Sequence, residues 1–218
     1  MPMSCDEFRR QLDRGLHKPD AQLFRIRIDV GDPAGGSGGR IRGYADLGAV
    51  AVIWEQQDDV GDSPVASSLI DGELRFGVGM PETEGMDPLP GTITDTAVGL
   101  LWWLQAADAC AQREFGWELA LDPADPAIAD SLLPETAEPL RQRGEPLRAR
   151  ARFDQGGGLA EVVIDALMPP ETPTPTARWT PWRTSIELIP TPRLPVQDLR
   201  AASGRDEVWR RCAERWPS

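Results

Sequence analysis

The chain predicts an α+β fold with mostly antiparallel sheet, and three observations predict it. Phe24, Ile26, Ile28 and Val30 alternate with Arg25, Arg27 and Asp29, the period of two expected of a half-buried strand. Asp71-Gly72 and Gln155-Gly156-Gly157-Gly158 each divide a pair of apolar-alternating runs, which is the pattern of a hairpin. Apolar residues at helical spacing fill two further stretches, about 96–115 and about 205–216, giving a central amphipathic helix and a C-terminal helix packed on one face of the sheet. Strands in runs followed by helices argue for hairpins, not for alternating parallel units.

Taken in order, Ser4-Cys5-Asp6-Glu7 reads as a capping box, and Phe8, Leu12 and Leu16 follow at helical spacing, so a first helix is expected at about 5–15. The strand at 24–30 leads through a glycine-rich loop, 31–39, to a second strand region at 40–54. Its last part, 49–54, is apolar on both faces and belongs in the middle of a sheet. A turn at Asp71-Gly72 pairs Leu69 with Leu74 and Val65 with Val78. Over 96–115, Leu100, Trp103, Leu104, Ala107, Cys110, Ala111 and Phe115 share one helical face, and Gly116 suits the C-cap. Residues 117–121 are a short strand, and 122–145 an acidic, proline-rich connection with a helical turn near 128–133.

The hairpin at 147–168 carries its own register. Turning around Gln155–Gly158 sets Arg152 opposite Glu161 and Arg148 opposite Asp165, with Ala151 across from Val162 and Ala149 across from Ile164. A slip of one residue would put the arginines on the apolar face, so the pattern fixes the pairing. A strand at 184–189 and a helix carrying Trp209, Cys212, Ala213 and Trp216 as its apolar stripe complete the chain. Phe24-Arg25-Ile26-Arg27-Ile28-Asp29 is similar to the arginine-alternating run that starts at Leu147. A single domain over 1–218 is therefore expected, with two similar units, 22–117 and 146–216, as a pseudo-repeat joined by 122–145.

Most reaction chemistries lack their residues. Gly35-Gly36-Ser37-Gly38-Gly39 satisfies G-x-S-x-G, but a nucleophile elbow needs a helix after the serine and a later histidine. The only histidine is His17, which precedes it. One histidine and three cysteines without ligand spacing do not make a zinc or haem site. Asp58, Asp59 and Asp62, like Asp122, Asp125 and Asp130, do not follow the twelve-residue calcium loop. No metal and no cofactor are expected, and no catalytic residue is named. Arg25, Arg27, Arg148, Arg150 and Arg152 could make a basic sheet face, but the register pairs Arg148 and Arg152 with acids, so internal ion pairing accounts for them better than nucleic acid.

Charge is the loudest feature. The net charge is −12, and residues 55–138 hold 18 acids against two bases, Arg75 and Arg113. A coherent negative field would steer a cationic partner. The expected function is therefore a non-enzymatic acidic binding protein that engages a basic protein partner, in composition like immunity or antitoxin proteins or acidic chaperones. Asp58, Asp59, Asp62, Glu82, Glu84 and Asp87 are the acidic candidates for its surface. Trp102, Trp179 and Trp182 are the aromatic anchors, with burial against the sheet as their alternative role. The competing reading is a carboxylate-based hydrolase or other small-molecule enzyme, with acids converging beside Arg25, Arg27 or Tyr44 in a cleft between the two units. The opening residues turn charged at once and lack a signal-peptide core, and no apolar run is long enough for a membrane span. With Cys5, Cys110 and Cys212 read as free thiols, a cytoplasmic location is expected.

Overall fold

A computed structural model describes residues 5–16, 21–31, 37–46, 49, 51–58, 65–71, 73–76, 103–129, 146–168 and 179–217. The first element is α1 (Cys5–Leu16), formed where the sequence predicts it. Cys5, Phe8 and Leu12 lie on one side of it and are buried. Asp6 and Glu7 occupy its first turn and Arg14 its last, the order that opposes the helix dipole.

Five strands follow: β1 (Ala21–Val30), β2 (Ser37–Asp46), β3 (Ala51–Asp58), β4 (Val65–Ile70) and β5 (Glu73–Phe76). Each pairs antiparallel with the next. The Asp71 turn places Leu69 opposite Leu74, as expected, and Asp71 takes the left-handed φ of 53° that tight hairpin turns demand. Val78 lies outside the described residues. Ala51, Val52, Ile53 and Trp54 are all buried, so β3 is covered on both faces, as its unbroken apolar run predicts.

The second set is β6 (Ala107–Arg113), β7 (Gly116–Leu121), β8 (Leu147–Phe153), β9 (Leu159–Met168) and β10 (Thr180–Thr191). The one-turn helix α2 (Pro126–Ala129) lies between β7 and β8. The ten strands form one sheet in the order β5-β4-β3-β2-β1-β10-β9-β8-β7-β6. One meander thus runs outward from β1, a second runs inward from the opposite edge, and β1 and β10 join them. The two units suggested by the sequence share this one sheet. All four expected pairs of the β8–β9 hairpin are present: Arg148 with Asp165, Ala149 with Ile164, Ala151 with Val162 and Arg152 with Glu161. A bulge beside Phe153 absorbs the turn, in which Asp154 accepts from the Gly158 amide at 2.7 Å.

The central helix is the main correction. Leu104–Ala106 is a single 3-10 turn, Ala107–Arg113 is an edge strand, and Glu114-Phe115 is the two-residue turn into β7; 96–102 lie outside the described residues. A bulge between Ala107 and Ala109 makes Asp108 an extra residue. The inward-facing Ala107 and Cys110 are therefore three apart instead of two, a spacing that copies a helix. Phe115, expected on the buried stripe, is 76% exposed.

Cysteine usage needs a second correction. Cys5 and Cys110 are joined in a disulfide that ties the start of α1 to β6 across 105 residues of sequence. Cys212 alone is a free thiol, and it is buried.

After β10 come α3 (Val196–Arg200) and α4 (Ala202–Arg215). The buried stripe of α4 is Val208 and Cys212 with Trp216 just beyond, while Ala213 is exposed. Helices lie on both faces of the sheet, not on one. Side chains of α1 join Phe24, Ile26, Ile41, Trp117, Ile164 and Ile186 in one core. Those of α3 and α4 join Leu23, Tyr44, Ile53 and Ile70 in another. Alternate residues of the same strands, Leu23 and Phe24 for example, feed the two cores, as a pleated sheet requires. Gly43 leaves room between them: a Cβ there would meet the Ile53 carbonyl oxygen at 2.0 Å and the Phe24 ring at 2.9 Å.

Candidate protein-binding face

Among the described residues, α3 and α4 cover only part of the width of the face of the sheet on which they lie. Beneath the helices it presents Leu23, Tyr44, Ala51 and Ile53. Across β6–β9 the same face presents Ala109, Ala111, Ala120, Val163, four arginines and three carboxylates. The β8 arginines follow from its alternation: Leu147, Ala149 and Ala151 point into the α1 core, so Arg148, Arg150 and Arg152 must point out. Small side chains on β6 and β7 leave two adjoining open hollows, of about 600 Å³ and about 350 Å³. Glu118 and Arg150 line both.

Ion pairs cross this face. Arg113 meets Glu118 at 2.6 Å, Arg152 meets Glu161 at 3.0 Å and Arg183 meets Asp165 at 2.6 Å. Arg150 lies 3.6 Å from Asp165. Arg148, directly opposite Asp165 in the register, makes no ion pair among the described residues. The hydrogen bond from Arg113 holds Glu118 below the usual carboxylate range, with further help from the charges of Arg113, Arg150 and Arg148. Phe115, at the tip of the β6–β7 turn, is the only large hydrophobic side chain that stands exposed among the described residues.

Where this face meets α4, Glu187 accepts from Arg25 at 2.6 Å and from the Trp216 indole at 3.0 Å, and Arg25 lies over the Trp216 ring. Burial alone would raise Glu187, but the hydrogen bonds from Arg25 and Trp216 outweigh it and the carboxyl sits low. Arg27 pairs with Asp29 at 2.9 Å. Tyr44 is fully buried, and its hydroxyl accepts from the Leu194 amide at 2.9 Å; burial raises its pKa. The residues named for an enzymatic cleft are thus spent on packing and pairing. Among the described residues no group of histidine, cysteine or acidic side chains is placed to hold a metal.

Most of the expected partner surface lies outside the described residues. Trp179 and Trp182 are half-buried and pack against the α1 core, on the other side of the sheet from the hollows. The backbone of Asp58 closes β3 at its pairing with Gly39. Asp59, Asp62, Glu82, Glu84, Asp87, Trp102 and His17 lie outside the described residues. Of the other acids in 55–138, Glu55 pairs with Arg42, Asp71 with Arg200 at 2.7 Å and Glu73 with Arg75 at 2.9 Å. Arg42 and Arg200 come from the flanking thirds of the chain, so there the field is cancelled locally. Ser37-Gly38-Gly39 is strand, not an elbow. Sequence reasoning passed over Phe115 and the alanines of β6 because both had been assigned to a helix.

No protein-family model matches the chain, and no curated protein matches it. Among solved structures, it is similar to MucB in a complex with MucA(peri), at 10% identity and a TM-score of 0.36, over 92% of this chain and 61% of that one. It is also similar to a putative outer membrane lipoprotein-sorting protein domain from Vibrio parahaemolyticus, at 8% identity and a TM-score of 0.27, over 88% of this chain and 93% of that one. The chain thus spans about three fifths of the MucB chain's length. Likeness at this level carries no functional argument. The cytoplasmic expectation is nevertheless corrected. The Cys5–Cys110 disulfide is of a kind that forms and persists in oxidising compartments and is rare in a reducing cytoplasm.

Proposed function

We propose that the chain is a non-enzymatic binding module of an oxidising compartment such as the cell envelope, and that it seats a segment of a partner protein on the open β6–β9 face. The observation that carries this reading is the pairing of an exposed Phe115 with a broad floor of small side chains edged by arginines. Aromatic and arginine side chains around an open, uncovered patch are what interfaces use. A carboxylate-based enzyme would need an acid held at raised pKa in a closed pocket. Among the described residues the shifted carboxylates, Glu118, Glu187 and Glu207, all move down.

A photo-reactive phenylalanine analogue at position 115 tests the reading, with the same analogue at Arg210 on the solvent side of α4 as control. A discrete protein adduct from position 115 and not from 210, lost in Ala120→Arg, is the expected result. Equal labelling from both positions would refute it. The sequence-derived proposal of a basic partner now rests on Asp59, Asp62, Glu82, Glu84 and Asp87. Neutralising these five without loss of the adduct would remove it.

A further inference from the structure

We propose that the occupant of the β6–β9 face is an extended acidic segment whose carboxylates, at alternate residues, meet the arginine row of β8. This rests on the binding-face reading above and adds the chemistry of the partner. The first support is a local charge excess. Arg113, Arg148, Arg150 and Arg152 line the hollows with only Glu118, Glu161 and Asp165 among the described side chains, and Arg183, which also faces Asp29, draws on Asp165 as well. Asp165 is held by Arg183 at 2.6 Å, which leaves Arg150 at 3.6 Å and Arg148 without an ion pair among the described residues. In a chain of net charge −12, an under-compensated arginine row on an open face is the reverse of the overall bias.

The second support is pitch. Arg148, Arg150 and Arg152 leave β8 on the same side, so neighbouring ones are about 6.7 Å apart. An extended peptide repeats its own side chains at the same interval, so glutamates or aspartates at i, i+2 and i+4 fall in step with the row. Arginine meets carboxylate through paired N–H donors. The intramolecular pairs of Arg150 and Arg152 leave these side chains more than half exposed, and such pairs exchange readily for a ligand carboxylate.

The third support is room. Ala109, Ala111 and Ala120 keep the floor beside the row low, and Phe115 offers an apolar contact at one end. A long polyanion would meet the repulsion of the whole molecule, whereas a short segment would feel mainly its neighbours within a Debye length of about 8 Å.

The test uses the oxidised full chain and fluorescence anisotropy with a labelled nonapeptide in which glutamate alternates with valine. Its glutamine and lysine counterparts and inorganic polyphosphate are the comparison probes. We expect the glutamate peptide to bind at least about tenfold more tightly than the glutamine peptide. Arg148→Gln should weaken it about three- to tenfold, and Arg148→Gln with Arg150→Gln further. Arg148→Lys should restore part of the loss, and Arg210→Gln should change nothing. Circular dichroism and thermal melting confirm that each variant folds. Equal binding of the glutamate and glutamine peptides, preference for the lysine peptide, or tighter binding of polyphosphate would each overturn the acidic-segment proposal. If no peptide binds while the position 115 adduct persists, the acidic chemistry fails and the binding face stands. If the adduct is also absent, both fail.

Discussion

One face of a single sheet is used in two ways. Over β1–β4 it carries Leu23, Tyr44, Ala51, Ile53 and Ile70, and α3 and α4 close over them. Over β6–β9 it carries Ala109, Ala111, Ala120 and Val163 among arginines and carboxylates, and no helix among the described residues covers it. Burying a large aliphatic side chain contributes about 1.5–3 kcal/mol, which draws a helix onto the first region. Alanines and ion pairs with side-chain exposures of 36–61% offer little for a helix to cover. The difference teaches that the second region relies for its packing on the other face of the sheet, where α1 lies against it. Phe8 packs there against Trp117 at a tilt and against Phe153 edge-on, and Gln11 accepts from the Trp117 indole at 2.9 Å.

The sharpest way to break this comparison is to shorten one aliphatic side chain in each region. Ile53→Ala, under α4, should cost about 2–5 kcal/mol in chemical denaturation. Val163→Ala, on the open face, should cost less than about 1 kcal/mol. Equal losses would mean that the open face is covered after all.

Opening the disulfide should have the next largest effect. Cys5→Ala with Cys110→Ala, or reduction, should lower stability by about 2–4 kcal/mol. Arg9, which donates to the Gln105 and Ala107 carbonyls at 3.1 and 2.9 Å, helps to clamp the same junction. Amide exchange should therefore quicken in β6 and β7 before β1–β3, and uniform quickening would show that α1 does not hold the open half selectively.

The smallest effect is one of pH. On α4, hydrogen bonds from Arg210 and Arg211 lower Glu207 to about 2. A carboxyl whose folded-state pKa is depressed adds stability that is present above its unfolded pKa of about 4.5 and lost as pH falls through the folded value. The stability difference between the native chain and Glu207→Gln should accordingly shrink between about pH 4.5 and pH 2. A constant difference across that window would show that the Arg210 and Arg211 pairs do not staple the helix over the covered region.

The sequence was legible wherever one strand faced one environment on each side. Arg148, Arg150 and Arg152 against Ala149 and Ala151 left a single register possible, and that register is present. It was illegible at β6, where a bulge gave Ala107 and Cys110 a helical spacing, and at Trp179 and Trp182, where the proline-rich sequence hid that Trp182 lies within β10 and which side of the sheet both pack on. The open face escaped notice for the same reason, since half of its floor comes from β6.

By itself the sequence determined the alternation of β1, the turn at Asp71, the β8–β9 pairing and the two terminal helices. These depend on residues close in the chain, whose periodicity and turn preferences act locally. Tertiary structure alone decided that Cys5 meets Cys110, that α1 and α4 lie on opposite faces, and that the arginines of 42 and 200 cancel acids at 55 and 71. Those outcomes depend on which strand ends up beside which. Charge counted along a chain does not carry that information, because an ion pair is made in space.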